Sequence, residues 1–194
     1  LQDLPLADRF PAQRLFERVA ELAVGWNVND NLGLVVGATH PEALAAAFAA
    51  IESMAGDDRG RAIGETGLDY FRTGPGGQPA QEESFRRHID LAKRLDKALV
   101  IHDRDAHDDV VRVLLSEGAP TNVVFHCFSG TAELARTCAD HGWVMSFSGT
   151  VTFKKNEHLR EALVAAPLDL LLVETDAPYL TPMPFRGRPN ASYL

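Results

Sequence analysis

Six times along this chain a short apolar run stops on a polar residue. Leu34 to Ala38 leads to His40. Arg61 to Gly64 leads to Glu65. Ala98 to Ile101 leads to His102, and Asn122 to Phe125 leads to His126. Trp143 to Phe147 ends at Ser148, and Leu170 to Val173 runs through Glu174 to Asp176. Stretches with apolar residues at helical spacing separate the runs, over 42–54, 80–97, 108–117, 131–141 and 156–166, with a further one at 12–24. The runs are apolar throughout rather than alternating, as parallel strands buried on both faces are. A repeated β-α pattern fits a doubly wound sheet or a (β/α)8 barrel. Polar residues recurring at strand C-terminal ends favour the barrel, which assembles its site from several strand ends. A doubly wound sheet concentrates its site at one switch point and usually carries a Gly-rich phosphate turn, and no such turn occurs here. The expected fold is therefore α/β, a TIM (β/α)8 barrel in a single domain over 1–194, with about six of its eight strands readable. A complete barrel takes about 250 residues. The chain has 194 and starts at Leu1 rather than Met. About two strands are thus expected beyond the ends of this sequence.

Composition narrows the function. Lys plus Arg number 19 against 27 Asp plus Glu, a net charge of −8. That balance argues against a protein held to nucleic acid by bulk positive charge, though bound cations can still meet phosphate locally. No apolar run approaches the roughly 18 residues that span a bilayer, and the N-terminus has no signal-peptide pattern, so no membrane partner is expected. Cys127 and Cys138 fit neither a disulfide framework nor a Cys-based zinc site. They are read as free thiols in a reducing cytoplasm.

Glu65 lies in Gly64-Glu65-Thr66-Gly67, where an apolar run ends abruptly in a carboxylate. A carboxylate there is paired, hydrogen-bonded or metal-bound, because burying it alone is costly. Glu65, His102, His126 and Asp176 close four different runs. Two imidazoles and two carboxylates suit zinc, manganese or a similar divalent ion. Such sets perform hydrolysis by acidifying bound water. Any one of them alone is more commonly a structural residue; four at one rim point to a metal site.

The same residues carry a resemblance. Gly64-Glu65-Thr66-Gly67-Leu68-Asp69-Tyr70, Ile101-His102-Asp103-Arg104, His126-Cys127-Phe128-Ser129-Gly130 and Glu174-Thr175-Asp176-Ala177-Pro178-Tyr179-Leu180 resemble, in order, motifs of the TatD family of metal-dependent deoxyribonucleases. The likeness covers roughly residues 33–190. It implies an amidohydrolase-like TIM barrel that cleaves DNA phosphodiesters with metal-activated hydroxide, usually with two divalent ions (Mg, Mn or Zn). By position it implies Glu65 as the bridging carboxylate, His102 and His126 as ligands of one metal, and Asp176 as a ligand of the other. Asp176 is also the expected proton acceptor.

The sequence departs from that pattern in places. The family's first strand ends in an H-x-H pair, and residues 1–33 contain no histidine. Gly37-Ala38-Thr39-His40-Pro41 has one residue more than expected between Gly and His. After Arg186-Gly187 the chain reads Arg188-Pro189-Asn190-Ala191-Ser192 where the family has Asn-Glu-Pro. Truncation is the expected cause of the missing pair. Two other functions stay open: a barrel hydrolase of amides, esters or aminoacyl-tRNA, and a degenerate barrel kept as a binding protein.

Other residues have a functional and a structural reading. Arg104 reaches a substrate phosphate, or pairs with Asp103 or Asp105. His40 contacts substrate or caps a loop. Tyr179 and Arg186 hold a base or phosphate, or pack their loop. Glu174 orients a ligand histidine, and Asp69 does likewise or caps the loop after Gly67. Ser129 and Ser148 are expected in turn hydrogen bonds. His88, His107, His141 and His158 are read as surface residues.

Overall fold

The computed structural model describes residues 41–57 and 60–193. The helix expected over 12–24, the strand near 34 and His40 lie outside the described residues. Helix α1 spans Pro41–Ala55, and strand β1 spans Ala62–Asp69. There follow α2 (Gln78–Arg94), β2 (Ala98–Arg104), α3 (His107–Glu117), β3 (Val123–Phe125), α4 (Ala132–Asp140), β4 (Val144–Phe147), α5 (Glu157–Ala165) and β5 (Leu171–Val173). The described strands form one parallel sheet in the order β1-β2-β3-β4-β5. Right-handed crossovers in an unreversed order put every connecting helix on one face. That is an arc of a (β/α)8 wall, not a doubly wound sheet, and its C-terminal strand ends share one rim.

Local chemistry explains the helices. Pro79 sits in the first turn of α2, where its missing N–H is no loss. Lys93 and Arg94 complement the negative C-terminal end. Asp108 and Asp109 complement the positive start of α3, and Gly118 and Gly142, at φ 73° and 68°, turn the chain after α3 and α4. Phe85, Ile89 and Ala92 of α2, and Val110, Val113 and Leu114 of α3, are buried with Leu99 and Ile101 of β2. Each such side chain stabilises the fold by roughly 1.5–3 kcal/mol relative to exposure.

Three expectations change. Strand β1 does not stop at Gly64; it continues through Glu65 to Asp69. Its pairing with β2 shifts between Ile63 and Thr66, where three steps on β1 face two on β2. That extra residue is a β-bulge, which breaks the alternation and re-aims a side chain. Here the residue re-aimed is Glu65. Gly67 pairs with His102 at φ 146°, and a Cβ on it would fall on the His102 carbonyl oxygen. Only glycine lets the two strands run this close.

The strands are also not buried on both faces. In β2, Leu99, Ile101 and Asp103 are buried while Val100 and His102 are half-buried, and in β5 Val173 is 91% exposed. The described strands make an open arc, so their inner face has no opposite wall among the described residues. Finally, His88 is buried rather than superficial. Its Nδ1–H donates to the Ser84 carbonyl at 2.8 Å, and its ring meets Phe48 edge-on. Cys127 is half-buried and Cys138 buried, and neither is in a disulfide among the described residues. Among the described residues no helix is long and apolar enough to cross a membrane.

Candidate metal centre

The bulge aims Glu65 at His102, and Glu65 Oε1 lies 2.6 Å from His102 Nδ1. On the far side of the ring, His102 Nε2 lies 3.0 Å from Asp69 Oδ2. Both partners are carboxylates and accept only, so the ring carries two protons. Burial pushes the His102 pKa down, but the bonds to Asp69 and Glu65 outweigh it and raise it to about 9. Burial likewise raises Glu65, yet the His102 hydrogen bond and the His102 and His126 charges leave it below the ordinary carboxylate range. Asp69 is fully buried, and its Oδ1 accepts from the Arg72 N–H at 2.8 Å.

His126 follows β3 and is anchored by its own N–H on the Ile101 carbonyl at 2.9 Å. Its Nδ1 donates to Glu174 Oε2 at 2.9 Å. Glu174 also accepts from the Cys127 N–H at 2.6 Å and the Ser146 hydroxyl at 2.8 Å. The His126 ring is therefore fixed, with Nε2 turned toward the centre. Nε2 lies 3.9 Å from Glu65 Oε2 and 3.7 Å from Asp176 Oδ1. Burial pushes the His126 pKa down, but Glu174 and Glu65 raise it overall.

Cys127 and Asp176 adopt left-handed backbone, at φ 44° and 54°. Non-glycine residues take that conformation at a cost, and they concentrate at functional sites. The loop after β5 is held by Asn190, which is buried. Its Nδ2 donates to the Thr175 carbonyl at 2.6 Å and the Tyr179 carbonyl at 2.7 Å, on either side of Asp176. Burial raises the Asp176 carboxyl above its ordinary value, against the opposing charge of His126.

The four sequence-predicted residues thus converge on one rim. The donors fit a divalent ion in kind. Each histidine has its outer nitrogen held by a carboxylate, Asp69 or Glu174, and its inner nitrogen turned to Glu65. Metal-ligating histidines are usually held this way. Among the described residues, no group of three or more His, Cys, Asp or Glu side chains has the spacing to hold an ion as it stands. His102 Nδ1 and Glu65 Oε1 are instead hydrogen-bonded to each other at 2.6 Å. Metal binding exchanges such protons for the ion.

The other residues divide. Arg104 takes neither acidic neighbour; its guanidinium lies over the Phe71 ring, 3.9 Å from the centroid. Arg186 lies likewise over Phe153 at 3.9 Å. Tyr179 is 71% exposed. Ser129 donates to the Asp103 carbonyl, and Ser148 bonds with Cys127 and Thr150. His107 is not free at the surface, since its Nδ1 meets Asp103 Oδ2 at 2.7 Å. Sequence reasoning missed the role of Asn190, which stood only as part of a departure from a motif. A separate cleft of about 380 Å³, lined by Tyr70, Pro79, Glu82 and Asp109 among others, lies away from the four donors. Its Glu82 and Asp109 carboxylates are taken up by Arg86, Arg112 and the Tyr70 hydroxyl.

Known proteins share this sequence and fold. A family model described as TatD related DNase matches residues 11–194. A Mycobacterium tuberculosis protein named "Uncharacterized metal-dependent hydrolase TatD" is 46% identical over 97% of this chain and 72% of its own length. The Bacillus subtilis "Uncharacterized metal-dependent hydrolase YabD" is 39% identical over 94% of this chain and 70% of its own. The crystal structure of YjjV, a TatD homologue from Escherichia coli, superposes with a TM-score of 0.69 at 30% identity. That match covers 75% of this chain and 57% of YjjV. The chain belongs to the TatD-related DNase family, among relatives named as metal-dependent hydrolases.

Proposed function

We propose that the protein is a divalent-metal-dependent hydrolase that cleaves phosphodiester bonds of DNA. One observation carries the reading: His102 and His126 are each pinned from behind by a carboxylate, with the inner nitrogens turned to the shared carboxylate Glu65. In this reading Glu65, His102, His126 and Asp176 hold the metal. A divalent ion held there supplies Lewis acidity toward a phosphoryl oxygen and toward water. The protein's own residues do the rest. Asp69 and Glu174 keep the imidazoles oriented. Asp176, at the open side of the site with 34% of its side chain exposed and its pKa raised mainly by burial, orients the attacking water and accepts its proton. Arg104, at the end of β2, and Arg186, in the loop after β5, are the side chains read as meeting substrate.

The test treats the full chain with a chelator, then restores Mg²⁺, Mn²⁺ or Zn²⁺, and assays a labelled oligodeoxynucleotide beside an acyl ester. Metal-restored cleavage of the oligonucleotide is expected. Equal cleavage in the chelator defeats the metal role. Hydrolysis of the ester alone moves the activity to another bond.

A further inference from the structure

Helix α2 buries an apolar stripe at helical spacing, in which Phe85, Ile89 and Ala92 are fully covered. One turn before Phe85 the stripe begins with a polar residue, Gln81, which is 1% exposed. A buried side-chain amide is costly unless its donors and its acceptor are used. An apolar residue would fill the same space without that demand. Gln81 uses both ends of its amide. Its Oε1 accepts from the Asp69 N–H at 3.1 Å. Its Nε2 donates to the Thr73 hydroxyl at 2.8 Å and to the Asp69 carbonyl at 3.4 Å.

The partner it grips is the last residue of β1. The ladder to β2 runs on through the Tyr70 N–H, which donates to the Arg104 carbonyl at 2.9 Å. The Asp69 N–H and carbonyl therefore lie on the other side of the strand, where Gln81 pairs with both as a neighbouring peptide group would. With its backbone held in this way, Asp69 places its carboxylate between the Arg72 N–H at 2.8 Å and His102 Nε2 at 3.0 Å. That carboxylate is fully buried. A route of two hydrogen-bonded links thus leads from the helix layer to the His102 ring, from Gln81 to Asp69 and from Asp69 to His102. His126 is held differently. Its anchor, Glu174, accepts from the Cys127 N–H and the Ser146 hydroxyl, neither of them on a helix.

We infer that Gln81 is a positioning residue of the metal centre: its amide fixes the backbone of Asp69, and Asp69 in turn fixes the His102 ring. The inference rests on the reading above that His102 holds a metal. An apolar side chain of similar size at position 81 keeps the stripe of α2 continuous but leaves the Asp69 N–H without its acceptor. A buried donor left in that state is unfavourable, so the end of β1 moves to satisfy it and carries the Asp69 carboxylate away from the ring.

The experiment measures Mn²⁺ affinity of the full chain by competition with a metal-sensitive dye. Gln81→Leu and Gln81→Met are compared with the wild type, and each is also combined with Asp69→Ala. Both single changes are expected to weaken Mn²⁺ binding roughly 5-fold, less than the roughly 10–100-fold of a group bonded to the ligand itself. In the Asp69→Ala background the same changes are expected to cost nothing further, because the carboxylate through which Gln81 acts is gone. In the chelated protein the His102 imidazole resonances are expected to shift in both Gln81 variants, while those of His126 stay in place. Gln81→Met, unbranched like glutamine, carries the test if Gln81→Leu does not fold, and the imidazole resonances decide without any Asp69 variant. Unchanged Mn²⁺ affinity at position 81 overturns the inference. So does an equal loss with and without the Asp69 carboxylate, or an equal shift of both imidazoles, since either marks a general loosening of the fold. Failure of the metal reading shows separately, in a wild type that binds no Mn²⁺ at all, and the role of Gln81 falls with it.

Discussion

Glu174 is the residue on which the candidate site most depends without being a candidate ligand. One carboxylate accepts from the His126 ring, the Cys127 N–H and the Ser146 hydroxyl. It therefore fixes both the imidazole and the left-handed turn at Cys127 beside it. Replacing Glu174 with Gln keeps the size but removes one acceptor, so His126 is no longer held in a single orientation. Partners of this kind typically account for 10–100-fold in metal affinity. Glu174→Gln is expected to weaken Mn²⁺ or Zn²⁺ binding by that order, read by competition with a metal-sensitive dye, while the far-UV circular dichroism stays that of the wild type. The role of Glu174 could be read from the sequence, because it stands two residues before Asp176 at a strand end. Asp69 was legible only as one of two alternatives. What decides between them is the bulge at Glu65, which turns the His102 ring between two carboxylates, and no spacing rule reveals which way a bulge aims its side chain.

At the scale of elements, helical periodicity located five described helices to within a few residues, because each has a continuous apolar face and a Gly or Pro near an end. The strands were legible as apolar runs but not their lengths. β1 reads as four residues because Gly64 looks like a stop, whereas two glycines at positive φ carry it on to Asp69. The helix layer hides one titratable group. His88 of α2 is buried, and burial pushes its pKa down to about 4, against the bond to Ser84 that favours the charged form. An unfolded chain binds a proton at this histidine near pH 6.5, and the folded chain does not until about pH 4. Stability from this group is therefore present above 6.5 and lost as pH falls toward 4, by on the order of 3 kcal/mol in total. His88→Phe is expected to flatten the fall in Tm between pH 6.5 and 4.5 relative to the wild type. Thermal melts across that range check it, and an identical slope in both proteins rejects the assignment.

At the scale of the molecule, the protonated centre and the metal-loaded one are competing states. The bonds to Asp69 and Glu65 raise the His102 pKa to about 9, so a metal ion held there would displace a proton from its ring. A histidine raised in this way stabilises the fold fully below about pH 6.5, and that contribution is lost as pH rises through about 9. Metal binding needs the neutral ring, so it becomes more favourable over the same interval. The Tm of the metal-loaded protein minus that of the chelated protein is expected to grow from pH 6.5 to 9. A difference that shrinks with rising pH contradicts the exchange of proton for metal. All of this turns on Glu65, the group shared by both histidines. The most direct measurement is the number of Mn²⁺ ions bound per chain by equilibrium dialysis, in the wild type and in Glu65→Ala, with oligonucleotide cleavage assayed on the same samples. The wild type is expected to bind metal and cleave, and Glu65→Ala to do neither at any Mn²⁺ concentration that saturates the wild type. A Glu65→Ala protein that holds its metal and cleaves at the wild-type rate would show that the centre of the site lies elsewhere.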